Sequence, residues 1–144
     1  MSKLAIVLAW AIAVVVAAAL GSIAQTWINM NAIEALGTDV GLGQRISATL
    51  HDLKMFTPLY AGLVAAAFLV AWIVAGLLSR WQPVWRSLWF TLAGFLSIWT
   101  MLAVMGQALP VTAIAAARTT GGMLVLSLAG ALGGWLYARL TREL

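Results

Sequence analysis

The stretch Leu4–Ile33, LAIVLAWAIAVVVAAALGSIAQTWINMNAI, runs for thirty residues without one Asp, Glu, Lys or Arg. A helix that crosses a bilayer needs about 20 mostly apolar residues, so the stretch is long enough for one crossing with residues to spare. Its apolar residues are continuous rather than alternating, and it far exceeds the roughly 9–11 residues of a barrel strand. A transmembrane β-barrel is thereby excluded. Working outward, three more uncharged gaps appear: 55–79, 87–117 and 119–138, of twenty-five, thirty-one and twenty residues. All three meet the same length requirement and there is no fifth. The reading is an all-α integral membrane four-helix bundle.

Composition points the same way. The chain of 144 residues is 64% hydrophobic and 8% charged, against roughly 25% charged residues in a soluble domain. Mean hydropathy is +1.03. The size fits a single transmembrane domain over 1–144. Eight Lys and Arg against four Asp and Glu give a net charge of +4, but the basic residues are scattered at chain ends and loops. They form no clustered face for phosphate, so nucleic acid is not a partner. Cysteine is absent, which removes thiol chemistry and thiolate metal sites.

The first span is placed at 4–28. Lys3, the apolar run and Ala17-Ala18-Ala19 mimic a secretory leader, but the run exceeds the roughly 7–15 residues of a leader core. An uncleaved anchor is expected. The second span covers 58–78, with Pro58 in its first turn and Thr57 as N-cap. The third covers 84–109, opened by Pro83 and closed by Pro110. The fourth covers 122–139, capped by Thr119 or Thr120. The connections are 29–57, 79–83 and 110–121.

Basic residues favour the cytoplasmic side. Lys3, Arg80, Arg86, Arg139 and Arg142 fall on one side with Glu143. Arg45, Lys54 and Arg118 fall on the other with Glu34, Asp39 and Asp52. Both termini are therefore expected inside, with 29–57 and 110–121 as outer loops and 79–83 cytoplasmic. The margin is small and leaves dual topology open. Trp81, Trp85, Trp89, Trp135 and Tyr137 would mark the inner interface, and Trp27 and Tyr60 the outer one. A bacterial inner membrane is the expected location, with membrane lipid as the surrounding partner.

Lipid is as apolar as leucine, so helices associate inside a bilayer where small residues permit close approach. Ala5, Ala9, Ala13, Ala17 and Gly21 form such a ladder on the first span. Gly130 and Gly134 form a GxxxG on the fourth, in line with Gly122. These faces serve packing within the bundle or docking of a second copy or another membrane protein.

In the first outer loop, Leu42, Ile46, Leu50 and Leu53 recur at helical spacing, with Gln44, Arg45, His51 and Asp52 largely away from that stripe. A short amphipathic helix over 40–54 is expected, lying in the interface plane or covering the bundle mouth. Residues 29–38 read as turn and coil, with at most one helical turn at 32–34.

Chemistry-bearing constellations are few. His51 is the only histidine and lacks a metal-binding partner at helical spacing. No paired catalytic carboxylates, Ser/His/Asp arrangement or phosphate-cradling Gly-Lys loop occurs. No catalytic, cofactor or metal residue is assigned. Arg118, beside the start of the fourth span, suits an anion or lipid headgroup, with Arg45 as a second cation. Gln25 and Gln107, both near the outer boundary, could join that contact. The first span lacks the glutamate of small multidrug exporters, and the chain lacks the cysteine pairs of quinone-linked thiol oxidoreductases. The expectation is a non-catalytic membrane protein, an accessory subunit or homo-oligomer acting through helix contacts and its outer loop. The alternatives are a transporter or channel for a small or lipophilic solute, with its path at a subunit interface, and a lipid-handling enzyme using Arg45, His51, Asp52 and Arg118.

Overall fold

The computed structural model describes residues 2–111 and 113–142, so Glu143 of the charge comparison lies outside the described residues. Among the described residues the chain is all-helical: α1 (Lys3–Ala35), α2 (Leu42–Met55), α3 (Thr57–Trp81), α4 (Arg86–Ala108) and α5 (Thr120–Leu140), with short 3₁₀ turns at Pro83–Trp85 and Ala115–Arg118. The helices α1, α3 and α5, and α4 together with the turn before it, are long and apolar enough to cross a membrane.

α1 is capped by Ser2, whose hydroxyl accepts from the Ala5 amide at 3.2 Å. It then runs 33 residues, about 50 Å at 1.5 Å per residue. That is well beyond a hydrocarbon core of roughly 30 Å. The expected coil at 29–38 is thus helix as far as Ala35. Local propensity in Asn29–Asn31 is weak, and what sustains the helix there is contact with α2, described below. The helix stops at Leu36 and Gly37; Gly37 has φ +92°, the left-handed region that glycine enters without steric cost.

α2 and α3 are close to one helix. Phe56 keeps helical angles (φ −87°, ψ −39°). Its amide donates to the Asp52 carbonyl at 2.8 Å, and the Tyr60 amide donates to the Phe56 carbonyl at 3.0 Å. The break belongs to Pro58, which has no N–H to give and whose ring opposes the carbonyl four residues back. Thr57 is therefore inside the first turn of α3, not its N-cap. Its hydroxyl sits 3.4 Å from the Asp52 carbonyl.

This proline-broken helix runs antiparallel to α1. Gly21 faces the Tyr60 ring, Thr26 meets Asp52, and Asn31 and Glu34 meet Arg45. Ascending α1 thus means descending the α2–α3 chain.

On the other side of the bundle α4 and α5 touch backbone to backbone. A Cβ on Gly130 would lie 2.5 Å from the Gly94 carbonyl oxygen, and one on Gly134 would overlap the Phe90 carbonyl oxygen. Gly133, between them, points instead at the Ala13 carbonyl and the Ala17 methyl of α1. Consecutive glycines thereby let α5 approach two helices at once. Ala9, Ala13, Ala17 and Gly21 are all buried within this single chain. Gly122 abuts the Ala116 carbonyl, and Thr119 rather than Thr120 caps α5, accepting from the Gly122 amide at 3.0 Å.

Two aromatic residues expected at the interfaces pack against neighbouring helices, Tyr60 buried and Tyr137 half-buried. Tyr60 is 1% exposed because Gly21 leaves it room. Tyr137 stacks on Trp72 at 4.1 Å and tilts against Phe90 at 5.0 Å. Trp81 and Trp85 remain exposed. Arg86 crosses from α4 to the end of α5, donating to the Ala138 carbonyl at 3.3 Å and to the Thr141 hydroxyl at 2.8 Å. It satisfies acceptors that a helix end leaves free.

Candidate functional site

The polar chemistry of the chain collects where α2 folds back on the last three turns of α1. Trp27, Asn31 and Glu34 recur at spacings of four and three and share one face of α1. Arg45 of α2 lies across that face. One guanidinium nitrogen donates to the Glu34 carboxylate at 2.7 Å, the other to the Asn31 amide oxygen at 2.8 Å. The guanidinium carbon sits 5.3 Å from the Trp27 ring centroid. Arg45 is 9% exposed in consequence. A planar fork suits this double contact as an ammonium does not.

Two turns on, Asp52 makes the second link: its carboxylate accepts from the Thr26 hydroxyl at 2.6 Å. That length is typical of an O–H donating to a charged oxygen. Thr26 itself is 1% exposed. Around it lie Ser22 and Gln25, both buried. The Ser22 hydroxyl and the Gln25 side-chain oxygen make no hydrogen bond among the described residues. At the start of α2 the Gln44 side chain accepts from the Gly41 amide at 3.2 Å.

These links fix the roll of α2. Arg45 and Asp52 turn toward α1, and most of the apolar row turns away: Leu42, Ile46 and Leu50 are 66%, 50% and 63% exposed, while Leu53 is half-buried. An amphipathic helix ordinarily buries its apolar face. Here the surface offered by distal α1 is itself polar, so the polar face of α2 docks. Because α2 runs alongside α1, it prolongs the bundle as a helical hairpin rather than crossing over its mouth. On its other flank Gln44, Ser47, His51 and Asp52 line an open cavity of about 550 Å³ with Met30 of α1.

The residues proposed for a headgroup contact lie on four different elements. Arg45 is engaged by Glu34 and Asn31. Gln25 is buried on α1, Gln107 is exposed near the end of α4, and Arg118 is exposed in the 3₁₀ turn before α5. No hydrogen bond joins any two of them among the described residues. Of the partners that hold the hairpin, Asn31 and Glu34 escape sequence reading because residues 29–38 look like coil, and without them Thr26 and Trp27 read only as the end of a span. Continuing the helix through them would expose their shared face.

Replacing Thr26 by Val keeps the shape and removes the donor to Asp52. Hydrogen bonds to charged groups contribute about 1.5–3 kcal/mol. Amide exchange across 42–55 is expected to accelerate roughly tenfold or more, with exchange in α4 and α5 unchanged. Equal exchange in both proteins would refute the latch.

A second feature lies between α3 and α4, a groove of about 550 Å³ with an almost wholly apolar lining. Comparison of the chain with protein-family models, curated proteins and solved structures finds no match.

Proposed function

We propose that the chain is a four-span membrane protein that works by contact rather than by catalysis, as an accessory subunit or a homo-oligomer, with the α1–α2 hairpin as its contact element. The observation that carries this reading is the inverted docking of α2. Arg45 and Asp52 hold the helix in one roll, and that roll presents Leu42, Ile46 and Leu50 outward. Exposed apolar rows of this kind mark interaction surfaces. The charge distribution supports both termini inside and the hairpin outside, in a membrane such as the bacterial inner membrane.

The chain contains no cysteine, so a single introduced one is a unique reporter. Ile46→Cys, treated in native membranes with a short bifunctional thiol–amine reagent, is expected to give one discrete product, either a dimer of the chain or a stoichiometric complex with one other membrane protein. The triple variant Leu42→Ser, Ile46→Ser, Leu50→Ser should leave the bundle folded and disrupt that assembly. A chain that remains monomeric and solitary at every expression level overturns the reading.

A further inference from the structure

We infer that the oxygen cluster where α2 meets α1, formed by Ser22, Gln25, Thr26 and Asp52, binds a small monovalent cation, sodium by charge and by size. The inference uses the docked position of α2 and does not depend on what the outer row of α2 contacts.

The hydrogens around Thr26 are too few for the oxygens there. The Thr26 hydroxyl has one hydrogen and faces two acceptors, the Asp52 carboxylate at 2.6 Å and the Ser22 carbonyl at 3.0 Å. The shorter contact, to a charged oxygen, takes the hydrogen. One turn back on the same face of α1, the Ser22 hydroxyl is fully buried and has no partner among the described residues. The side-chain oxygen of Gln25, a residue 8% exposed and three positions from Ser22, has none either. Hydroxyls on helices ordinarily return to their own backbone. Thr49, Thr91 and Ser97 do so, donating to the carbonyls of Arg45, Ser87 and Gly94. Ser22 does not, and a buried oxygen without a partner is costly.

The cluster also lacks a positive charge. Among the described residues the one ion pair joins Arg45 to Glu34, and Lys54 is exposed. A cation answers both deficits. It takes lone pairs from hydroxyl, amide and carboxylate oxygens, needs no hydrogen from them, and balances Asp52.

Composition selects the ion. One carboxylate among neutral oxygens gives a single negative charge, whereas calcium affinity is set by the number of charged ligands. The four side chains include no imidazole or thiolate, the ligands that select transition metals. Oxygens held 2.6–3.0 Å apart crowd closely round an ion, which favours sodium over potassium. Asp52 also lines the open cavity with Gln44, Ser47 and His51, so it connects outer water with the buried oxygens.

Docking of α2 completes the site, so sodium should hold the hairpin closed. The test follows amide exchange across 42–55 in the full chain in detergent micelles, at equal concentrations of sodium, potassium or choline chloride. With a dissociation constant on the order of 10 mM, sodium at about 100 mM slows exchange about tenfold relative to choline. Potassium should slow it less. Ser22→Ala removes one ligand and Asp52→Asn the charge, and in each the sodium-to-choline ratio should fall to near one. Ser127→Ala removes an equally buried, unpartnered hydroxyl from α5 and should keep the full ratio. Each ratio is taken within one variant, so altered hairpin stability cancels. Equal exchange of the unaltered chain in sodium and choline means that water serves these oxygens and overturns the proposal. A full ratio in Ser22→Ala overturns it too, as does equal slowing by sodium and potassium. Cross-linking through Ile46→Cys reads the contact proposal separately. Assembly without a sodium effect sinks only the ion site, and a sodium effect in a solitary chain sinks only the contact reading.

Discussion

Gly134→Ala is expected to be among the most damaging single-methyl changes in this chain, and Gly62→Ala a harmless or stabilising one. Each glycine lies inside a long apolar helix, Gly134 in the GxxxG of α5 and Gly62 in α3. In the fold a Cβ on Gly134 would overlap the Phe90 carbonyl oxygen, whereas one on Gly62 meets nothing within 4 Å. The obstacle at Gly134 is backbone, which cannot rotate out of the way, so α4 and α5 must separate along their whole contact. Overpacking costs typically about 1–3 kcal/mol, and this site belongs at the upper end. At Gly62 the exchange removes conformational freedom from the unfolded chain and should stabilise by roughly 0.5–1 kcal/mol. Unfolding in mixed micelles of increasing denaturing-detergent fraction separates the two. If Gly134→Ala unfolds at the wild-type midpoint, the backbone contact between α4 and α5 is not as described. Gly106→Ala, also with open space at its Cβ, should follow Gly62→Ala.

Arg45→Ala is expected to release α2 from α1 without unfolding the bundle. The substitution removes both guanidinium bonds and leaves Glu34 facing the gap. Breaking a buried pair by removing one partner costs about 3–5 kcal/mol, and an exposed pair contributes about 0–1 kcal/mol. Here the Arg45 side chain is 11% exposed and that of Glu34 46%, so Glu34 regains water and the cost falls between, at roughly 2 kcal/mol. Exchange of the α2 amides should then accelerate about thirtyfold, and the last two turns of α1 should fray with it. Arg45→Lys should recover only part of the protection, since one ammonium cannot reproduce the fork that reaches Asn31 and Glu34. Unchanged exchange in Arg45→Ala would show that the hairpin is held by something other than this clasp. The same variant probes the proposed contact surface, because a freed α2 no longer presents Leu42, Ile46 and Leu50 in a fixed orientation.

Much of the architecture is legible along the chain because the bilayer applies a one-dimensional rule. A charged side chain in hydrocarbon is costly, so uncharged gaps of sufficient length locate the spans whatever their neighbours. That rule alone places all four long helices to within a few residues, except the far end of α1. Helix breakers are equally local. Pro58 and Pro83 act where they stand, through a missing N–H and a fixed φ, and the amphipathic period announces α2.

Which faces meet is a different kind of question, and the chain does not answer it in advance. The period of α2 shows that it has an apolar row, but not that the row points outward. That depends on Thr26, Asn31 and Glu34 being brought opposite Asp52 and Arg45, with the Leu36–Gly41 turn between the two helices. Gly130, Gly133 and Gly134 can be counted in the sequence, yet only the partner backbone assigns Gly133 to α1 and the other two to α4. Tyr60 and Tyr137 carry the composition of interfacial residues, and only the fold shows Tyr60 buried against Gly21 and Tyr137 half-buried on Trp72. Desolvation acts on each residue singly and so can be read in one dimension. Packing and pairing act between residues distant in the chain, so they exist only once the chain has folded.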